Sequence, residues 1–167
     1  DGAKTFYDKV ILAMHAPEAL EILEDPSPKE VEILSAFKYK ANSAVLHSDN
    51  NILHPNRKMY AAWNYTSSNI ENKAVTLTYW INSLQNLKTK KDYFVSLNET
   101  KSIKNVIENI SYDHPQFDSK AILMQSRKDE ICGVNNTYYA GAYWRYGFHE
   151  DGLLSATKVA SKLMCEF

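Results

Sequence analysis

Residues 135–163 read NNTYYAGAYWRYGFHEDGLLSATKVASKL. Thr137 to Ala140 has the β-branched and aromatic character of a strand, Gly141 breaks it, and an aromatic loop follows as far as Gly147. His149-Glu150-Asp151-Gly152 reads as an acidic turn. It leads into a helix from Leu153 to Leu163 with its apolar positions 153, 156, 159, 160 and 163 on one face. A strand that ends in glycine and feeds a helix N-terminus offers backbone N–H groups to an anion or to a polar cofactor edge.

Working outward, the N-terminal stretch 7–14 (YDKVILAM) carries the continuous apolar run Val10 to Met14, which predicts a strand buried on both faces, as in a parallel sheet. His15-Ala16-Pro17-Glu18 opens a helix with proline in its first turn, running to Leu23. Ser27, Pro28 and Glu30 form a second helix start of capping-box type, for a helix through Phe37. From Tyr39 the period changes. Strands are predicted at 40–47, 58–65, 74–80, 93–97 and 106–112, separated by turn-formers such as Ser48 to Asn51 and Ser67 to Asn69. This spacing predicts an antiparallel meander. A short helix is expected at 81–87, a loop at Asp113-His114-Pro115, and a helix at 118–127. The two ends share a parallel-sheet character that the middle lacks, so they are expected to pack together. The fold class is therefore α+β: a mixed or antiparallel substrate-type sheet with helices (26–129), flanked by strand–helix pieces of an incomplete α/β domain (1–25 and 130–167).

With 167 residues and a formal net charge of −1, the chain can bury a real core and has no electrostatic case for binding nucleic acid. No apolar run approaches the roughly 18 residues of a transmembrane segment. The 11 Tyr, 6 Phe and 3 Trp favour sheets and a lined pocket over a helical bundle. Cys132 and Cys165 lack metal-type spacing and read as reduced thiols in a cytoplasmic protein. Four Asn-x-Ser/Thr triplets, at Asn64, Asn98, Asn109 and Asn135, are expected by chance in an Asn-rich chain.

The runs YDKVILAMHAPEALEIL (7–23), ANSAVLHSDNNILHPN (41–56), LTYWINSLQNL (77–87), YDHPQFDSKAI (112–122) and AGAYWRYGFHEDGLLSA (140–156) resemble the C-terminal half of flavin-containing amine oxidase-like proteins. More narrowly, they are similar to bacterial NAD/FAD-binding oxidoreductases and to the related N-terminal region of plant cyclopropane-fatty-acid synthases. The resemblance covers nearly the whole chain. It implies an FAD cofactor in the full-length parent and a missing N-terminal FAD-binding region that holds the GxGxxG fingerprint. FAD binding by this fragment alone is then expected to be weak or absent. The implied flavin-facing residues are Gly141, Ala142, Phe148, Glu150, Asp151, Gly152 and Leu153. Many relatives have an acidic residue directly after the Ala-Gly pair, whereas Ala142 and Tyr143 stand here.

Trp63, Tyr79, Trp80, Tyr143, Trp144 and Tyr146 are candidates to line a pocket for a small-molecule or lipid-like substrate; amines, unsaturated lipids and carotenoid-like molecules all suit such relatives. No catalytic base stands out. His149, Glu150 and Asp151 are adjacent and have no second histidine four residues on, so no metal is expected. The alternative function is a non-catalytic binding or homo-oligomerising domain with a flavoprotein-derived fold. The bland reading of HEDG is an acidic first turn that caps the helix macrodipole.

Overall fold

A computed structural model describes residues 2–66, 76–99 and 101–164. The described residues form an α+β fold with five helices, a five-stranded antiparallel sheet and a two-stranded parallel sheet. They divide into two compact units, Asp1–Lys40 with Pro115–Phe167, and Ala41–His114.

In the first unit, β1 (Val10–Leu12) pairs in parallel with β7 (Thr137–Tyr139), Ile11 opposite Tyr138. Ala140 N–H continues the ladder to Leu12 C=O at 3.1 Å. Three helices precede β7. The first, α1 (Ala16–Ile22), has Pro17 in its first turn. α2 (Pro28–Leu34) begins with the expected capping box: Glu30 N–H donates to Ser27 Oγ at 3.3 Å, and Ser27 N–H donates to Glu30 Oε2 at 2.7 Å. α4 (Ser119–Gln125) is capped by Asp118, whose Oδ1 accepts from Ala121 N–H at 2.8 Å. The core gathers Leu12, Ala16, Ala19, Ile33, Leu34, Phe37, Tyr138, Tyr139, Tyr143, Trp144 and Val159.

Several sequence expectations are corrected here. The β1 run is not buried on both faces: Val10 is 42% and Ile11 48% exposed, because β1 has one strand neighbour among the described residues. α2 stops at Leu34 rather than Phe37. The last helix, α5 (His149–Met164), begins a turn earlier than expected, so HEDG is its first turn. Its buried stripe is Asp151, Ser155 and Val159, whereas Leu153, Ala156 and Ala160 are exposed. The stripe is displaced because Asp151 and Ser155 accept hydrogen bonds from backbone N–H groups of the preceding loop. Those N–H groups would otherwise lie unpaired beside the core.

In the second unit the sheet order is β3 (Trp63–Thr66), β4 (Thr76–Trp80), β5 (Phe94–Leu97), β2 (Lys38–His47), β6 (Val106–Gln116). β3, β4 and β5 form the expected meander, but β2 joins beyond β5 instead of beside β3. The expected strand at 58–65 is half a 3₁₀ turn, Arg57–Met59, because Asn56 caps that turn through Lys58 N–H at 3.0 Å. α3 (Ile81–Leu84) is shorter than expected, ending before Asn86, whose φ is +51°. β6 runs through Asp113-His114-Pro115, expected to be a loop; an edge strand tolerates the missing N–H of a proline. Residues 67–69, expected to be a turn, and Cys165 lie outside the described residues.

Tyr139 Oη donates to Glu30 Oε1 in the core of the first unit. Burial raises the Glu30 carboxyl, but the hydrogen bonds from Tyr139 and Ser27 outweigh it and hold the group below its ordinary value. Tyr139→Phe is expected to cost about 1.5–3 kcal/mol, the range for a hydrogen bond to a charged group, with the midpoint of urea unfolding as the measurement.

Candidate functional site

The turn between β7 and α5 is built from its own backbone. Gly147 has φ +87°, the left-handed region that favours glycine, and its N–H donates to Ala142 C=O at 3.2 Å. Gly141 is extended, and its constraint is space: a Cβ there would stand 2.4 Å from Cε1 of Tyr143. Ala142–Trp144 form one 3₁₀ turn that carries Tyr143 and Trp144 into the core, where both meet Phe37 edge-on at ring distances of 4.9 and 5.2 Å. Among the described residues, Tyr143 Oη and Trp144 Nε1 are buried with no partner in good hydrogen-bond geometry, although each lies close enough to the other to interact. Burial pushes the Tyr143 phenol well above its ordinary range.

Asp151 is buried and turned back on the loop. Its Oδ2 accepts from Tyr146 N–H at 3.2 Å and Phe148 N–H at 3.1 Å, and Oδ1 lies 3.5 Å from Arg145 Nε. The N–H groups of Asp151 and Gly152 both donate to Phe148 C=O, and those of His149 and Glu150 have no hydrogen-bond partner among the described residues. Around these open amides Tyr146, Phe148 and Leu153 are exposed. Of the seven expected flavin-facing residues, Phe148, Glu150 and Leu153 are therefore at the surface. Asp151 holds the loop, while Gly141, Ala142 and Gly152 are half-buried.

The pocket candidates fall into two groups. In the first unit, Tyr143 and Trp144 are core residues and Tyr146 is exposed. In the second, Trp63 lies directly opposite Tyr79, with their rings 5.4 Å apart. Trp80 is fixed from three sides: its Nε1–H donates to Asp92 Oδ1 at 3.0 Å, the Arg57 guanidinium lies 5.2 Å over its ring, and Tyr60 meets it edge-on.

The pairing register sorts the sheet into two faces, since opposite residues share a face and neighbours alternate. One carries Thr76, Thr78, Trp80, Phe94, Ser96, Val45 and His47; the other carries Trp63, Tyr65, Leu77, Tyr79, Val95, Leu97, Ala44 and Leu46. The first face holds the polar groups, and most of it is buried. On the second, apolar face, Ala44 alone is buried, and Trp63 and Tyr65 are 62% and 68% exposed. Single-residue reading missed this face. Its signal was the odd or even spacing of apolar residues within each strand, which acquires meaning only once the register is known.

His47 and Ser96 have the look of a catalytic pair, but the hydrogen bonds exclude it. Asp49 N–H donates to His47 Nδ1 at 3.1 Å, so the ring proton sits on Nε2 and faces Ser96 Oγ at 2.9 Å. Ser96 Oγ also shares a hydrogen bond with Thr78 Oγ1 at 2.8 Å. An imidazole that donates to the serine cannot take its proton. Among the described residues, no three His, Cys, Asp or Glu side chains gather where a metal could be held. No helix is long and apolar enough to cross a membrane.

The fold has a solved counterpart. It is similar to the crystal structure of a CLA-producing fatty acid isomerase from P. acnes, with a TM-score of 0.60 and 14% sequence identity over 93% of this chain and 41% of that one. The chain thus spans about two fifths of the length of that protein, and at this identity the likeness is one of fold. No protein-family model and no curated protein matches the sequence.

Burial lowers the His47 pKa below its ordinary value, against the opposing charges of Asp49 and Glu99. The unfolded chain takes up this proton near pH 6.5 and the folded chain resists it, so this contribution to stability is complete above about pH 6.5 and is lost as pH falls below it. His47→Gln is expected to flatten the dependence of the melting temperature on pH below 6.5, relative to the parent chain. Gly141→Ala, which drives a methyl into the Tyr143 ring, is expected to cost about 1–3 kcal/mol in urea unfolding.

Proposed function

We propose that this chain is the substrate-side part of an FAD-dependent oxidoreductase acting on an extended, lipid-like molecule. The observation that carries this reading is the fold likeness over 93% of the chain to an enzyme named as a fatty acid isomerase. It is joined by the residue-by-residue resemblance of 140–156 to the flavin-facing turn of amine oxidase-like proteins. In this reading the unit formed by the two ends of the chain faces the cofactor, and residues 41–114 face the substrate.

The turn fits a flavin edge in three respects. The open His149 and Glu150 amides begin a 16-residue helix, whose dipole favours negative charge developing on a ring edge. The exposed Phe148 and Tyr146 provide flat apolar surface beside them. Gly141 keeps the Tyr143 ring folded close against the backbone, which holds the end of the strand in place. Bound flavin would supply hydride acceptance from a substrate C–H bond. The chain's own residues would orient the partners and exclude water. The apolar face of the sheet, with Trp63, Tyr65 and Tyr79, suits a hydrocarbon better than a charged amine, because no acidic side chain lies among its eight residues.

Two measurements test the reading. The reading frame upstream of Asp1 is expected to encode a glycine-rich strand–turn–helix, and its full product to show flavin absorbance. A start codon close to Asp1 and a colourless product would overturn the flavoenzyme assignment. Oleate titrated into the 167-residue chain is expected to quench tryptophan fluorescence saturably, with most of the quenching lost in Trp63→Phe; titration without saturation would remove the lipid-like substrate.

A further inference from the structure

Apart from the turn, the first unit holds a cleft of about 160 Å³ between the end of α4 and the inner side of α5. This is smaller than the roughly 300–1,000 Å³ of a pocket for a drug-sized ligand, so it suits a small molecule or one group of a larger one. Its lining is charged and unbalanced. Lys128, Arg145, Lys158 and Lys162 contribute four cations against the two carboxylates of Asp129 and Asp151.

Each carboxylate is paired with one cation of the lining, Asp151 with Arg145 and Asp129 with Lys162, which leaves Lys128 and Lys158. Asp151 is committed to two loop N–H groups and to Arg145. The Asp129 side chain is 93% exposed and reaches Lys162 at 3.8 Å. Lys162 also donates to Cys132 C=O. Lys128 is the central cation. Its Nζ donates to Ser155 Oγ at 2.9 Å and lies 5.4 Å from the centre of the Trp144 ring. No carboxylate among the described residues lies within ion-pair distance of Lys128 or Lys158, so the Lys128 ammonium has one protein acceptor for its three N–H donors. Burial pulls Lys128 below the ordinary lysine range, against the opposing effects of Cys132 and Asp129 and with the like charges of Lys158 and Lys162 adding to it. Ser155 cannot relieve this charge. Its hydroxyl oxygen already accepts from Gly141 N–H at 3.2 Å as well as from Lys128.

A half-buried ammonium on an indole face, with further cations around it and no free carboxylate, is the arrangement that a compact oxyanion completes. We propose that this cleft is an anion-binding site that takes a carboxylate or phosphate group between Lys128 and Lys158, with Trp144 as its floor. The assignment is independent of the flavin reading, since none of the open helix N–H groups lines this cleft.

The test is titration of the 167-residue chain with inorganic phosphate and, separately, with acetate, followed by amide NMR and calorimetry at an ionic strength held constant with chloride. Saturable shifts centred on Gly141, Ser155 and Lys128 are expected with at least one probe, and the stronger probe identifies the group. Lys128→Met and Lys158→Met are each expected to weaken binding about tenfold or more, and Lys58→Met, in the other unit, to leave it unchanged. Lys158 is exposed on α5, so Lys158→Met decides the question if Lys128→Met does not fold. Shifts that never saturate, that map elsewhere, or that persist unchanged in a folded Lys158→Met chain would overturn the assignment.

Discussion

The parallel pairing of Val10–Leu12 with Thr137–Tyr139 is the constraint on which the first unit depends. Parallel strands cannot be joined by a tight turn, so everything between them is a crossover, and its closure entropy grows only slowly with length. What rewards the closure is burial. Tyr138, Tyr139 and Ala140 enter the core beside residues from the start of the chain, and Tyr139 reaches Glu30 at the start of α2. From Ala140 onward each step is dictated by the last. Gly141 lets the Tyr143 ring fold back on the backbone, the 3₁₀ turn buries Tyr143 and Trp144, and Gly147 reverses the chain into α5.

Residues 41–114 follow a different logic. A one-sided sheet normally buries its apolar face and leaves polar residues to water. Here Thr78, Ser96 and His47 are buried in a closed hydrogen-bond chain, with Asp49 N–H fixing the tautomer at its end. Satisfied groups of this kind cost little to bury. The opposite face keeps Trp63, Tyr65 and five other side chains, Leu46, Leu77, Tyr79, Val95 and Leu97, exposed or half-exposed, and such a surface is seldom left without a use. That inversion is why the proposed substrate surface is the apolar face and not the aromatic core around Phe37.

Signals that act within a few residues were legible in the sequence. The Ser27-Pro28-Glu30 capping box and the strands around 76–80, 94–97 and 137–139 lie where composition places them. Signals that depend on distant partners were not. The apolar run at Val10 reads as buried, yet its burial depends on how many strands flank it. The stripe of α5 was misplaced because an aspartate and a serine occupy the inner face, and that is comprehensible only once the loop N–H groups they receive are in view. The cleft was the least legible. Lys158 and Lys162 are four apart on one helix, but Lys128 joins them solely through the fold.

The turn and the cleft lie close in sequence but differ in electrostatic design, and the difference narrows what each can hold. At the start of α5 the macrodipole is already opposed by Asp151, buried just inside it, and by the exposed Glu150. A permanently charged phosphate arriving there would meet two carboxylates. A neutral ring edge, which gains negative charge only as the ring is reduced, would meet open N–H groups without paying that repulsion at the binding step. The cleft reverses the balance: its carboxylates are spent or turned to solvent, and among the described residues none lies within ion-pair distance of its half-buried lysine. On the proposed assignments, a fixed anion suits the cleft better, and a group that acquires charge during reaction suits the turn better.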